Sequence, residues 1–227
     1  MIEKILDSDT PKSTTDLVFD HLYEEIVNLE ILPGSKMSEV EVSKRFGVSR
    51  QPVRDAFKRL GSLELLEIRP QRATAVRLFS IREIENTRFL RLAVELELIE
   101  LACANWNTDN AQKMQANIAA QETAVAEGDP ETLHRLDYEF HRLFCDVSGR
   151  PMAVDTIEAC KRKVDRLCML SLSHDEGGAA ILADHKSIVD AISRGDVAES
   201  RALIRHHLNR LSDTITEIYE THTHYFV

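Results

Sequence analysis

The sequence predicts a mainly α protein in which an N-terminal winged helix-turn-helix precedes an all-helical antiparallel bundle of about six helices. Two observations support this prediction. Within residues 13–78, two short amphipathic helical patterns are followed by two short segments in which apolar and polar residues alternate, as they do in strands. After residue 80 the alternation disappears, and helical patterns follow one another with breaks at asparagine, glycine and proline.

The same patterns divide the 227 residues into five segments. We expect a flexible N-terminal arm over residues 1–12, the winged helix-turn-helix over 13–78, a linker over 79–82, the helical domain over 83–221 and a C-terminal tail over 222–227. No apolar run reaches the roughly 20 residues that a membrane span needs. Four cysteines lie within helical patterns and lack CxxC spacing, which is typical of reduced thiols in a cytoplasmic protein.

The helix-turn-helix is predicted from residues 40–60. A short helical pattern stops at Gly47, a residue that readily adopts the left-handed turn conformation. A second helix begins after Ser49, whose hydroxyl can cap it, and its apolar residues recur with the spacing of one buried face. That stripe consists of Val53, Ala56, Phe57 and Leu60.

The exposed start of the second helix is a candidate surface for nucleic acid. Arg50, Gln51 and Arg54 occupy the N-terminal, outward side, from which side chains reach base edges and phosphates. The alternative interpretation is an ordinary amphipathic helix with a solvated basic face. Residues 66–69 and 74–78 alternate like two strands and predict a wing, which favours the first interpretation.

Charge is distributed unevenly along the chain. Residues 44–77 contain nine basic and three acidic side chains, whereas the whole protein has a net charge of −10. Residues 80–227 contain 16 basic and 25 acidic side chains. The basic segment therefore has the electrostatic character of a nucleic-acid contact surface, and the acidic second half does not.

The N-terminal segment resembles the GntR family of transcription regulators. The resemblance is carried by the proline-glycine turn at 33–34, the SRQPVRDAFKRL segment at 49–60 and the wing residues 70–74. This chain has Glu64 and Ala73 where the family usually has glycines. The resemblance implies DNA contacts from Arg50 and Arg54, wing contacts from Gln71 and Arg72, and a further candidate contact from Arg45.

Polar residues on the apolar faces of three later helices form a candidate metal site. Asp137 lies within one apolar stripe and His141 stands one turn further on at its edge. His185 lies inside a second stripe, and His207 flanks a third, whereas His206 points away from it. A carboxylate and three neutral imidazoles suit a divalent transition metal such as Zn²⁺ or Ni²⁺, although a buried hydrogen-bonded network without metal would also satisfy the pattern.

The second half also resembles the FCD effector domain of one GntR subfamily. The matching residues are DYEFH at 137–141, HKSI at 185–188, HL at 207–208 and the RLAVE segment at 91–95. In the metal-binding members, the four positions corresponding to Asp137, His141, His185 and His207 hold a divalent cation, and a small organic acid completes its coordination. Arg88 and Arg91 are candidates to anchor that carboxylate, or else form surface salt bridges.

These features together predict a regulator rather than an enzyme. The expected partners are operator double-stranded DNA, a small carboxylate effector and a second copy of the chain in a homodimer, with no membrane. Effector binding is expected to change operator affinity. Two alternatives stay open: a metal-dependent enzyme fused to a DNA-binding module, and a metal that only stabilises the helical bundle.

Overall fold

The computed structural model describes residues 12–69, 72–172 and 177–227. The chain separates into two compact units, Met1–Leu78 and Phe79–Val227. The first unit contains α1 (Thr14–Val27), β1 (Lys36–Met37), α2 (Glu39–Phe46), α3 (Arg50–Ser62), β2 (Leu66–Glu67) and β3 (Thr74–Val76). The second contains α4 (Ile81–Asn105), α5 (Thr108–Glu127), α6 (Pro130–Val147), α7 (Ala153–Leu172), α8 (Gly177–Ser193), α9 (Val197–Thr221) and a 3₁₀ turn (Thr223–Tyr225).

The first unit has the predicted winged helix-turn-helix form, with one addition to its sheet. The two wing strands β2 and β3 pair antiparallel, and β1 pairs with the other edge of β3, so the strand order is β1-β3-β2. The predicted apolar face of α3 is buried against α1 and the sheet. Gly47 ends α2 with a φ of 65°, as expected for a left-handed turn.

Two local features of this unit differ from expectation. Ser49 has the extended backbone of an N-cap residue, but its hydroxyl accepts no capping hydrogen bond, so the predicted side-chain cap is wrong. Glu64, which stands where the family usually has glycine, adopts a φ of 59°. A residue with a Cβ atom is strained in this left-handed region, so the turn between α3 and β2 keeps a glycine-like conformation without glycine.

The second unit is the predicted bundle of six helices over its described residues. Helix α4 packs against α7 and α9, α5 packs against α6 and α8, and α8 also packs against α9. Side-chain caps begin several helices as the sequence indicates: the Ser80 hydroxyl accepts from the Glu83 N–H, and Asp129, which precedes Pro130, accepts from the Thr132 N–H. The central core is lined by Ile99, Met114, Phe140, Phe144, Ile188, Ile192 and Ile204.

The two ends of the second unit are paired with each other. The Phe79 N–H donates to the Tyr225 carbonyl at 2.8 Å, and the Val227 N–H donates to the Phe79 carbonyl at 2.9 Å. Phe79 and Tyr225 are buried in a small cluster with Val164 and Ile218. The structure therefore differs from the linker expected over 79–82 and the tail expected over 222–227, because α4 already begins at Ile81 and the last residues are packed.

Among the described helices, none combines the length and apolar character needed to cross a bilayer.

Candidate metal centre and nucleic-acid interface

Four side chains from three helices converge inside the second unit. Asp137 and His141 are one turn apart on α6, His185 is on α8 and His207 is on α9. One ligand atom from each lies within 4.8 Å of all the others. The structure therefore brings together all four residues that the sequence predicts as metal ligands, and His206 lies outside the group with a side chain that is 63% exposed.

The atoms that could bind a cation are the Nε2 atoms of the three histidines and Oδ1 of Asp137. The Nε2 atom of His207 lies 3.2 Å from that of His141 and 3.3 Å from that of His185. Asp137 Oδ1 lies 3.5 Å from His141 Nε2 and 3.3 Å from His185 Nε2. Metal–nitrogen bonds of about 2.1 Å place neighbouring ligand atoms about 3.0 Å apart in an octahedron and about 3.4 Å apart in a tetrahedron. The four residues therefore fit a divalent transition metal.

The orientation of His141 is set by a buried carboxylate on α4. His141 Nδ1 lies 2.5 Å from Glu95 Oε2, and Arg91 Nε donates to Glu95 Oε1 at 2.6 Å. Burial raises the pKa of Glu95, but His141 and Arg91 outweigh it and bring this pKa down to about 2. Because an ionised carboxylate only accepts hydrogen bonds, the proton of a neutral His141 lies on Nδ1, and Nε2 presents a lone pair.

A neutral amide fixes His185 in the same way. Gln121 Nε2 donates to Asn117 Oδ1 at 2.6 Å, and Asn117 Nδ2 donates to the Leu136 carbonyl at 3.1 Å. These two hydrogen bonds orient the Gln121 amide so that its Oε1 accepts from His185 Nδ1 at 2.8 Å. Burial lowers the pKa of His185 to about 3, so its ring is neutral and its Nε2 is an acceptor.

His207 is oriented by Asp184, which forms an ion pair with Arg210. Its Nδ1 lies 3.4 Å from Asp184 Oδ2, and Arg210 Nη2 donates to Asp184 Oδ1 at 2.8 Å. Burial lowers the pKa of His207, which favours the neutral ring. With Asp184 at Nδ1, the Nε2 atom again faces the centre as an acceptor.

Asp137 divides its two oxygens between the centre and a lysine. Oδ1 faces the histidines, while Oδ2 forms an ion pair with Lys161 Nζ from α7. Burial raises the pKa of Asp137, but Lys161 and the histidines keep this pKa well below its usual range. Asp137 is therefore ionised, which is the form of a carboxylate that can bind a cation.

The two predicted effector anchors both lie on α4. Arg91 donates to Glu95, which in turn contacts His141, and the side chain of Arg91 is 11% exposed. Arg88 Nη2 donates to Asn209 Oδ1 on α9 at 3.2 Å. Arg91 is thus linked to the predicted ligand His141 through Glu95, whereas Arg88 contacts the helix that carries His207.

Several residues that hold the ligands were not identified from the sequence. They are Asn117, Gln121, Lys161, Asp184 and Arg210. A signal was present on α5, where Asn117 and Gln121 lie on the same buried face as Met114 and Ala124. Polar residues on a buried face need partners, so their spacing could have indicated a link to the histidines.

The predicted DNA-contacting residues at the start of α3 are exposed. Arg54 Nη2 lies 3.1 Å from Glu39 Oε2, and Arg50 Nη2 lies 3.4 Å from the same oxygen. Gln51 Nε2 donates to the Asp55 carboxylate at 3.0 Å. The structure thus places all three polar side chains on one outward side of the helix, as the sequence pattern predicts.

The remaining candidates lie at other places on this unit. Arg45 at the end of α2 pairs with Glu25 at 2.7 Å and its guanidinium stands over the Phe46 ring. Arg72 is exposed at the end of the wing, and its N–H donates to the Arg69 carbonyl. Gln71 lies outside the described residues.

Comparisons with known proteins match both units. The model of the bacterial regulatory proteins of the gntR family matches residues 14–76, and the model of the FCD domain matches residues 87–210. The chain is 32% identical over 209 residues to the HTH-type transcriptional repressor RspR of Escherichia coli K12, and the match covers 92% of each protein.

Solved structures share the fold at lower sequence identity. A transcriptional regulator of the GntR type from Rhodococcus sp. RHA1 superposes with a TM-score of 0.72 at 19% identity, covering 90% of this chain and 99% of that one. Escherichia coli McbR/YncC superposes with a TM-score of 0.71 at 19% identity, covering 93% and 99%. These matches confirm the predicted fold class and the resemblance drawn from the sequence motifs.

Proposed function

Because the chain belongs to the gntR family of bacterial regulatory proteins and carries an FCD domain, it is a DNA-binding transcriptional regulator, and we propose that its helical unit senses a small organic acid through a divalent metal ion. The proposed ligands are Asp137, His141, His185 and His207. The metal is a transition metal such as Zn²⁺ or Ni²⁺, since imidazole nitrogens dominate the site.

One observation carries the proposal: one ligand atom from each of three buried histidines and one aspartate lies within 4.8 Å of all the others. Each histidine turns its Nδ1 towards an acceptor, namely Glu95, Gln121 or Asp184. The Nε2 atoms of all three rings then face one another and the Asp137 carboxylate. A divalent cation satisfies all four atoms at once.

The charges around the centre favour an anionic effector. Three buried or half-buried acids each have a basic partner, in the pairs Asp137–Lys161, Glu95–Arg91 and Asp184–Arg210. The charges of these side chains therefore cancel in pairs, and a cation held at the centre would add an uncompensated positive charge. A carboxylate effector would neutralise that charge, and Arg91 and Arg88 on α4 are the candidate side chains to bind it.

The proposed regulation links this site to the winged helix. A homodimer presents two recognition helices to a palindromic operator, with Arg50, Gln51, Arg54, Gln71 and Arg72 as the principal contacts and Arg45 as a further one. The effector lowers operator affinity because it binds the two arrangements of the protein unequally. The proposed role is that of a cytoplasmic repressor, since the similar protein RspR is named a transcriptional repressor.

Metal content tests the site. We expect the purified wild type to hold one metal ion per chain by mass spectrometry, and His185→Ala and His207→Ala to lose it. His206→Ala is the matched control, because its side chain is exposed on the same helix as His207. Equal metal content in all four proteins would contradict the proposal.

Operator release tests the sensing role. Operator fragments are selected from a random-sequence library with the metal-loaded protein, and a panel of small carboxylic acids is then added while binding is followed by fluorescence anisotropy. We expect at least one acid to release DNA from the loaded protein and none to release it from His185→Ala. Release from both proteins alike would contradict sensing through the metal.

A further inference from the structure

Lys161 is a fully buried basic residue beside the candidate metal centre. It lies on α7, and its side chain is 2% exposed. Burial of an ammonium group is costly unless the group is paired, and replacing a buried ion pair by apolar residues often costs nothing in stability. Stability alone therefore does not explain a lysine at this position.

The partner of Lys161 is one particular oxygen of a predicted ligand. Asp137 directs Oδ1 towards His141 and His185, and Oδ2 towards Lys161 Nζ. A carboxylate ligand binds a cation through one oxygen or through both. With Oδ2 engaged by the ammonium group, only Oδ1 is presented to the centre.

The lysine is itself held in place by the α6–α7 contact. Its Nζ stands 4.3 Å from the centre of the Tyr138 ring, a favourable position for a cation. The Tyr138 hydroxyl donates to Asp165 Oδ2 at 2.6 Å, and Asp165 lies one turn along α7 from Lys161. Both sides of the ammonium group are thus fixed by neighbouring side chains.

We propose that Lys161 is a positioning residue that restricts Asp137 to one-oxygen coordination and so keeps a metal position open for the effector. This inference rests on the proposed metal site and adds a residue to it. Lys161 acts in two ways: its N–H groups hold Oδ2 away from the cation, and its charge weakens the hold of the protein on the metal while attracting an anion.

Titration with Mn²⁺ tests both effects in one experiment, because the relaxation rate of water protons reports the number of waters on the bound ion. Four protein ligand atoms on a six-coordinate ion leave two positions for water. In Lys161→Met, both Asp137 oxygens are free to bind, so we expect the relaxivity of bound Mn²⁺ to fall to about half. Removing the positive charge should also tighten Mn²⁺ binding about tenfold.

Three further variants separate the two effects. Lys161→Arg keeps both the charge and the donor, so wild-type relaxivity and affinity are expected. Lys161→Gln keeps a donor without the charge, so wild-type relaxivity with tighter binding is expected. Lys163→Met is the matched control, because Lys163 is exposed on the same helix and should leave both quantities unchanged.

The possible outcomes distinguish this inference from the proposed function. If wild type and His185→Ala bind Mn²⁺ equally, the metal site itself is wrong. If wild type binds Mn²⁺ through His185 but carries fewer than two waters, Asp137 already uses both oxygens and the inference is overturned, even if no Lys161 variant folds. If a folded Lys161→Met loses stability but keeps wild-type relaxivity and affinity, Lys161 has only a structural role and the inference is likewise overturned.

Discussion

Arg54 on α3 is ion-paired with Glu39 at the start of α2. Its Nε atom lies 3.3 Å from both carboxylate oxygens, and its Nη2 atom lies 3.1 Å from Oε2. Arg50 approaches the same carboxylate at 3.4 Å. The hydrogen bond from Arg54 lowers the pKa of Glu39, so this acid is charged at neutral pH. Two arginines predicted to contact DNA therefore share one acidic partner when DNA is absent.

Removal of either arginine should weaken operator binding. We expect Arg54→Ala and Arg50→Ala each to cost about 1 to 3 kcal/mol of binding free energy, because each side chain reaches a base edge or a phosphate. Titrations of a selected operator at fixed salt measure this loss. Lys113→Ala, which changes an exposed basic residue of the helical unit, is the control. Unchanged affinity in both arginine variants would remove them from the interface.

Neutralising Glu39 should have the opposite effect. DNA has to displace this carboxylate from the arginines, and an exposed ion pair contributes up to about 1 kcal/mol, so Glu39→Gln should tighten DNA binding by about two- to fivefold. The gain should appear with operator and with random DNA alike, and it should shrink as salt is raised. Glu41→Gln, an exposed acid on the same helix, serves for comparison. Weaker binding by Glu39→Gln would mean that Glu39 orients the arginines for DNA.

The amide behind His185 should matter for metal affinity although it touches no metal. Gln121→Ala removes the acceptor that holds the proton of His185 on Nδ1, and we expect metal affinity to fall about 10- to 100-fold. Competition with a chromophoric chelator measures the change. Gln115→Ala makes the same substitution at an exposed position of α5 and should behave like the wild type. Equal affinities in the two variants would show that Gln121 does not orient its histidine.

Loss of the carboxylate ligand should separate DNA binding from sensing. A folded Asp137→Ala protein is expected to bind operator but to ignore the effector acid. In the wild type the coupling between the two ligands is expected to be about 1 to 3 kcal/mol, and saturating operator must weaken effector binding by the same factor. Calorimetry with and without operator measures it. An effector affinity that operator leaves unchanged would exclude the helical unit as the switch.

The strained turn after α3 offers a stability prediction. Glu64 has a φ of 59°, and its exposed ion pair with Arg77 at 3.2 Å contributes little. Glu64→Gly should therefore raise the free energy of unfolding by up to about 1 kcal/mol. Urea unfolding measures the change. Glu67→Gly, in the extended strand β2, should lower the stability instead. A destabilised Glu64→Gly protein would mean that the Glu64 side chain stabilises the turn more than its backbone strains it.

The sequence was sufficient for features that depend on one helix at a time. The spacing of apolar residues in α6, α8 and α9 predicts that Asp137, His141, His185 and His207 lie on inward faces and that His206 points outward. The structure has the same arrangement. A tight turn at Gly47 could likewise be predicted, because glycine readily adopts the left-handed conformation that ends a helix.

Features that depend on two distant elements could not be predicted in this way. Lys161 reaches Asp137 from another helix, so its role depends on how far apart α6 and α7 lie and how each is rotated. The strand β1 has only two residues and exists because β3 offers it an edge. A periodic pattern reports which face of an element is buried, but it does not report which neighbour covers that face.

The pairing of Phe79 with residues 225–227 brings the two ends of the helical unit together. Its first residue and its last residue are joined by backbone hydrogen bonds. A short peptide linker could therefore connect these ends, and new termini could be opened at Gly128 or Gly195, which lie between helices. The pairing of these ends also affects where an affinity tag can be placed. An affinity tag fused after Val227 would begin at the residue whose N–H bonds to Phe79, so a tag at the other end of the protein is the safer choice for measuring regulation.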